Sequence, residues 1–362
     1  MVSDPRSILS GLLEYQYSVE SAFADLVDNS ITAGSKNIWL DFIIDDDAPN
    51  YCITMLDDGK GMSSAELHEA LKLGTRNENR SADDFGKFGF GLKCATLKYA
   101  KDITVITKNG HELSTGRLKY DHIMKTNQWE ILTKSENLEK RILKKFNDLN
   151  HGTIIILDDL KKNINPNRDN ETKIAIKNAH IPFFDNGIKT KKYLGLIFHR
   201  FIEKEKLKIF YNDTQEQHSW SPNPVSIGSE LLLPNESIPM GNDKFIKIEF
   251  YLNPSRNSLN ENYENYINSG YFEVYEESQG IFIYRNDRII SINKWSPYQQ
   301  SRQWKNTRNL NRLRVIIDFD KSLDELIGIE PTKSRISLPQ VTENRIKVLI
   351  ELAKTKAARI RI

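Results

Sequence analysis

Apolar residues recur along this chain in two rhythms. Between Ser18 and Ala33 they fall at positions 19, 22, 23, 26, 27 and 31, close to the period of a helix with one buried face, and Gly34 ends the run. The segments 37–44 (NIWLDFII) and 51–58 (YCITMLDD) are β-rich and flank an acidic turn holding Pro49, which predicts neighbouring strands. Ser63 and Glu66 open SSAELHEALKL in the pattern of a capping box, predicting a short helix that stops near Gly74. A polar stretch without apolar period, TRNENRSADD, leads into FGKFGFGLKCATLKYA, glycine-rich at first and helical later. In DITVITKNGHELSTGRLKY, Asn109-Gly110 between two β-rich runs signals a hairpin, and HGTIIILDDL (151–160) predicts the strand that completes a first unit.

Residues 161–178 are polar and read as a connector. Beyond them KFIKIEFYL (244–252), GIFIYRNDRII (280–290) and LRVIIDFD (313–320) predict strands, and Pro339 to Arg359 a closing helix. Strands followed by a late helix make the second domain α+β or α/β. The expected division is an N-terminal arm at 1–17, a first domain at 18–175, a second at 176–338 and a C-terminal helix at 339–362.

Composition narrows this picture. With 362 residues, 39% hydrophobic and 28% charged, the chain reads as one or two globular domains. No stretch approaches the roughly 20 apolar residues of a membrane helix, and the start lacks the order of a secretory signal, so a cytoplasmic protein without a membrane partner is expected. Cys52 and Cys94 sit in apolar contexts (YCITML, LKCATL) that read as packing rather than as a zinc site or disulfide. A net charge of +2 gives no strong overall field for nucleic acid. The basic segments 161–192 and 354–362 are either solvated faces or local phosphate contacts.

Three motifs carry candidate chemistry. Asp25 and Asn29 are one helical turn apart and share a face, with Ser21 and Thr32 near the same stripe; alone, this is also what a solvent-facing side looks like. Asp57-Asp58-Gly59-Lys60-Gly61-Met62 ends a β-rich run. A carboxylate leaving a strand, followed by glycines that let backbone approach a ligand, suits an amine such as adenine N6, although Asp-Gly turns are common in ordinary loops. Gly86-Lys87-Phe88-Gly89-Phe90-Gly91-Leu92-Lys93 puts three glycines ahead of a helix, where backbone N–H groups bind phosphate oxygens. Neither the Walker nor the Rossmann spacing is met.

In order and spacing the three resemble the GHKL ATPase superfamily, ADLVDNSITAGS its N box, DDGKGM its first glycine box and FGKFGFGLK its second, and HGTIIILDDL also resembles the family's later GT motif. Among the branches MORC proteins fit best, and MutL-like ones are near, through DDGKGM, the GxxGxGLK order, HGTIIILDDL and GIFIYRNDRII. The resemblance implies a GHKL (Bergerat) α/β sandwich followed by a ribosomal-S5-like transducer domain.

It further implies ATP and Mg²⁺ as ligands. Asn29 would hold Mg²⁺, Asp57 would accept from adenine, and Gly86, Lys87, Phe88, Gly89, Phe90, Gly91, Leu92 and Lys93 would surround the phosphates. Ala33, Gly61, Met62 and Thr153 would line the base pocket, Gly59 and Thr75 would be further nucleotide-binding residues, and residues 75–85 would form a lid with Gly74 and Gly86 as hinges. The family's general base is glutamate; here Asp25 stands at that position, with Asp28 the neighbouring alternative, and the shorter side chain implies slow turnover. Pro331-Thr332-Lys333 resembles the Pro-x-Lys segment of MutL-type proteins, so Lys333 would reach the γ-phosphate; Arg285, Arg288 and Lys294 are weaker candidates. An ATP-gated homodimeric clamp acting on DNA or a DNA-associated complex is the function implied, cytoplasmic or nucleoid-associated, with protein partners open. The arm, carrying Ile8, Leu9, Leu12, Leu13, Tyr15 and Tyr17, is apolar enough to pack on a partner or on its own domain. A nucleotide-gated module with little hydrolysis is the alternative.

Overall fold

A computed structural model describes residues 4–14, 18–44, 51–72, 96–133, 140–161, 173–212, 223–225, 228–259, 263, 267, 270, 272, 275–295, 310–329 and 336–360. The chain forms two compact units, Met1–Leu194 with Glu205–Ser219, and Gly195–Lys204 with Trp220–Ile362.

The first unit opens with helix α1 (Pro5–Glu14), whose Leu9 is fully buried and whose Arg6 amide donates to Asn127 Oδ1 at 3.4 Å. Helix α2 (Val19–Thr32) is the amphipathic helix expected from the sequence: Ala22, Phe23, Leu26 and Val27 are buried, and the Ser18 side chain caps it by accepting from the Ser21 amide. Strands β1 (Asn37–Ile44) and β2 (Tyr51–Asp57) pair antiparallel. Helix α3 (Ser64–Leu71) begins on the Ser63–Glu66 capping box, and β3 (Ala100–Asn109) and β4 (Leu113–Lys119) form the hairpin. Helices α4 (Tyr120–Thr126) and α5 (Lys140–Asp148) precede β5 (His151–Leu160); α6 (Lys173–Ile197) and β6 (Lys208–Tyr211) follow. The sheet runs β4-β3-β5-β2-β1-β6, with β6 parallel to β1.

Side chains alternate across a strand, so β2 serves two layers at once. Cys52 and Leu56 join Ile106, Ile154, Ile156 and Phe146 of α5 on one face. Met55 and Asp57 point to the other, and with both faces covered every residue of β2 is buried. On that second face Phe42 of β1 meets Phe23 of α2 (centroids 6.1 Å apart) and Phe183 of α6 (5.4 Å), and Tyr51 meets Phe183 (5.1 Å). Four rings thereby fasten two helices to the sheet. Helix α6 starts inside the stretch 161–178 that reads as a connector. Lys177 and Asn178 break its apolar period, and Pro182 argues against a helix interior.

The second unit holds β7 (Glu230–Gly241), β8 (Lys244–Leu252), β9 (Gly280–Arg285), β10 (Arg288–Lys294) and β11 (Leu313–Phe319) in the order β10-β9-β11-β8-β7, with β9 parallel to β11. GIFIYRNDRII is two strands, not one. Asn286 and Asp287 both take positive φ (49° and 68°), the geometry of a type I′ hairpin turn. One sheet face is covered by helix α8 (Gln340–Arg359) through Ile346, Leu349, Ile350, Ala353 and Ala357. Against Tyr284 and Asp318, on the opposite face, lies the short helix α7 (His199–Glu203): His199 Nε2 is 2.9 Å from the Tyr284 hydroxyl, and Arg200 pairs with Asp318. Among the described residues no helix is long and apolar enough to cross a membrane.

Removing the Phe42 ring opens a cavity at the meeting point of α2, α6 and the sheet. Phe42→Ala is expected to lower unfolding free energy by about 3–5 kcal/mol. Leu113→Ala, at a side chain that is 62% exposed, should stay within about 0.5 kcal/mol of wild type. Urea unfolding of the two variants checks both, and equal losses would contradict the packing described.

Candidate functional site

At the end of β2 an acidic residue occupies a position both sheet layers cover. Asp57 is only 7% exposed. A buried carboxylate is tolerated when hydrogen bonds replace its water. Ser30 Oγ donates to Oδ2 at 2.9 Å, while Ser35 Oγ at 3.1 Å and the Gly59 amide at 2.9 Å both donate to Oδ1.

The way α2 ends puts both serines there. Ala33 is the C-cap; Gly34 turns left-handed (φ 80°), its amide donates to Ile31 O (3.0 Å), and the Ser35 amide donates to Ser30 O (3.0 Å). These are the two bonds of a Schellman turn, a conformation that glycine adopts at little cost. The turn folds Ser35 back beside Ser30, so both hydroxyls face one carboxylate. The Lys60 amide then donates to Ala33 O (3.0 Å), stitching the Asp-Gly turn to the helix end. Asp58 serves the frame instead: its carboxylate accepts from the Lys36 amide (2.8 Å) and the Asn37 amide (2.9 Å). Burial pushes the Asp57 carboxyl above the ordinary carboxylate range; the bonds from Gly59, Ser30 and Ser35 pull it down, and Asp58 adds to the rise.

The ladder extends the site sideways. Register sets Thr153 of β5 opposite Asp57 and Thr107 of β3 opposite Thr153. The two threonine hydroxyls are 3.0 Å apart, and the Met62 amide donates to Thr107 Oγ1 at 2.9 Å. At Gly61 (φ 70°) a Cβ would stand 1.7 Å from the Lys108 carbonyl oxygen, so the turn crosses β3 only because the residue is glycine. His151 Nδ1–H donates to Gly59 O at 2.8 Å, tying β5 to the same turn.

Ala33, Asp57, Gly59, Gly61, Met62 and Thr153 are therefore brought together where α2, β2 and β5 meet. On α2 itself Asn29 is exposed; Asp25, one turn earlier on the same side, is 8% exposed, and Asp28 is 1% exposed. Thr75, the run from Gly86 to Lys93, and Lys333 lie outside the described residues. In the second unit Arg285 is engaged by Asp324 through Nε (2.7 Å), and Arg288 Nη1 donates to Ile289 O (3.0 Å). Lys294 ends β10.

Ser30, Ser35, Thr107 and His151 are the residues the motifs did not single out. Ser30 had a readable signal: it continues the buried stripe one turn after Leu26, where a polar residue needs a partner. Chemically, a recessed carboxylate can accept from an amine on a flat heterocycle, and the exposed amide oxygen of Asn29 is a hard ligand suited to Mg²⁺ completed by water and phosphate oxygens.

This arrangement has relatives. Residues 17–153 match the family of histidine kinase-, DNA gyrase B-, and HSP90-like ATPases. That matched stretch contains every site residue from Asp25 to Thr153. The chain is similar to MORC family CW-type zinc finger protein 3 of Mus musculus, at 33% identity over 28% of this chain and 11% of that protein. ATPase morc-1 of Caenorhabditis elegans is 30% identical over 24% of this chain and 10% of its own length. The chain thus spans about a tenth of these two relatives. A solved structure described as the N-terminal domain of a DNA repair protein covers 99% of this chain and 97% of its own at 17% identity and a TM-score of 0.49, a likeness that adds nothing about function.

Because its folded-state pKa is raised, Asp57 supports folding fully below about pH 4, and that support is lost as the pH climbs through the raised value. Wild-type stability relative to Asp57→Asn should therefore decline from pH 4 towards neutrality. Urea midpoints of both chains across pH 4–8 measure this, and a constant difference would contradict it.

Proposed function

We propose that this chain is a Mg²⁺-dependent ATPase, hydrolysing ATP to ADP and phosphate. The observation carrying the reading is the buried Asp57 carboxylate, oriented by three donors beside Thr153 and set at the end of the helix that bears Asp25 and Asn29. In this reading Asp57 accepts from the adenine amine, Ala33, Gly59, Gly61, Met62 and Thr153 line the base, and Asn29 holds Mg²⁺, which would neutralise phosphate charge. Backbone amides from Gly86 to Leu92, with Lys87 and Lys93 nearby, take the phosphates, and residues 75–85 from Thr75 onward cover them. Asp25 takes a proton from the water that attacks the γ-phosphorus, while Lys333 of the second unit stabilises charge on the transferring group.

A second reading, a nucleotide-gated module with little hydrolysis, is favoured by one feature: aspartate at position 25 is a methylene shorter than glutamate, which holds the attacking water less well. In both readings the second unit is a ribosomal-S5-like transducer and the chain dimerises when ATP is bound, as a clamp on DNA or a DNA-associated complex, in the cytoplasm or at the nucleoid. The names of the relatives support the ATPase part and the family description, with its DNA gyrase B branch, the DNA part. Since Leu9 of α1 is buried within its own unit, an arm-mediated dimer would have to use other residues of the arm.

Steady-state turnover with direct nucleotide binding tests the assignment. Asp25→Ala should lose about 10²–10⁴-fold in turnover while keeping nucleotide affinity. Asn29→Ala should lose the Mg²⁺ dependence of binding. Wild-type turnover in Asp25→Ala would remove Asp25 as the base. For the clamp, sedimentation should show more dimer with a non-hydrolysable ATP analogue than with ADP; an unchanged dimer fraction would refute it.

A further inference from the structure

We infer that Ser30 is a positioning residue for base recognition: its hydroxyl fixes the Asp57 carboxylate so that Oδ2 is the atom offered to the exocyclic amine of the base, and it ties that atom to the helix carrying Asp25 and Asn29. The inference rests on the nucleotide reading above and names the device that gives it base specificity.

An ionised carboxylate has about four acceptor positions, two on each oxygen. Oδ1 of Asp57 already receives the Ser35 hydroxyl (3.1 Å) and the Gly59 amide (2.9 Å), whereas Oδ2 receives the Ser30 hydroxyl alone (2.9 Å) among the described residues. The remaining acceptor capacity is therefore on Oδ2, and its direction is set by where Ser30 binds. Ser30 is itself 2% exposed, and its oxygen lies 3.3 Å from Leu26 O as well as 2.9 Å from Oδ2. A helical serine can satisfy itself on the carbonyl one turn back. Here the shorter approach is to the charged acceptor, which makes the stronger bond. Ser35 cannot substitute, because it lies beyond the Schellman turn and binds the other oxygen. Asp58, the adjacent acid, is occupied by the Lys36 and Asn37 amides.

The consequence is selectivity for a base with a donor where adenine carries its amine. A 6-oxo base such as hypoxanthine would set oxygen against Oδ2 and gain nothing there. Without the Ser30 hydroxyl the carboxylate turns, and the amine loses its aligned acceptor while the oxo base loses nothing.

The test is equilibrium binding of Mg-ATP and Mg-inosine triphosphate, by calorimetry, to the full chain as wild type, Ser30→Ala, Ser30→Cys and Ser30→Thr. Loss of an aligned bond to a charged group predicts about a tenfold loss of ATP affinity in Ser30→Ala, with inosine triphosphate affinity unchanged. Ser30→Cys, similar in shape but a weak donor, should repeat that result even if the alanine variant folds poorly, and Ser30→Thr should restore the wild-type ratio. An unchanged ATP-to-inosine-triphosphate ratio in both the alanine and cysteine variants would overturn the role of Ser30 and leave the ATP reading standing. A wild-type chain that binds neither nucleotide overturns the ATP reading, and this inference with it.

Discussion

A single buried carboxyl group under a covered sheet end sets the terms for the first unit. Left without partners, a buried carboxylate costs several kcal/mol even after relaxation. The donors that offset this for Asp57 come from three places: the last turn of α2, the reversal after it, and the amide two residues on. Gly34 must turn left-handed for Ser35 to return, and Gly61 must be bare for the following segment to cross β3. The site is thus not added to the fold; satisfying Asp57 is part of what closes α2 onto β2.

The second unit handles buried polarity in the opposite way. His199 is 1% exposed, its Nε2 meets the Tyr284 hydroxyl and its Nδ1 lies 3.2 Å from Glu203 Oε1. Burial pushes the His199 pKa down and that of Tyr284 up, disfavouring the charged form of each. Arg200 lies over the Tyr284 ring (3.7 Å) and pairs with Asp318. These groups answer one another inside the unit. At Asp57, by contrast, among the described residues one oxygen keeps room for a further donor, and that asymmetry is what separates a candidate site from internal bonding.

Much of the first unit is legible in the sequence, because its elements obey clean periods. The strands at 37–44 and 151–160 and the Ser63 capping box stand where the pattern put them, since each has one dominant local cause. Helix α6 was hidden, because its polar residues and Pro182 obscure the period while Phe183 packs on the sheet from far away in sequence. The break at Asn286-Asp287 is not legible in the sequence because the residues on either side carry one unbroken β-rich character. The site showed a similar split. Asp57 and its glycines form a local motif, but the serines that hold the carboxylate depend on how one helix ends against a strand 22 or more residues later, a relation no local spacing contains.

Strand β6 has an implication for how the protein is made. It pairs in parallel with β1, Trp39 opposite Phe210, yet it reaches the sheet only after the chain has contributed residues 195–204 to the second unit. A ribosome delivering this chain from its N-terminus would release β1 and the strands β2 to β5 long before the edge strand that borders β1. The first unit must therefore wait, with the backbone hydrogen-bonding groups on the outer side of β1 open to other partners, until residue 211 has emerged. During that interval the exposed edge is where a nascent chain would be most open to mispairing.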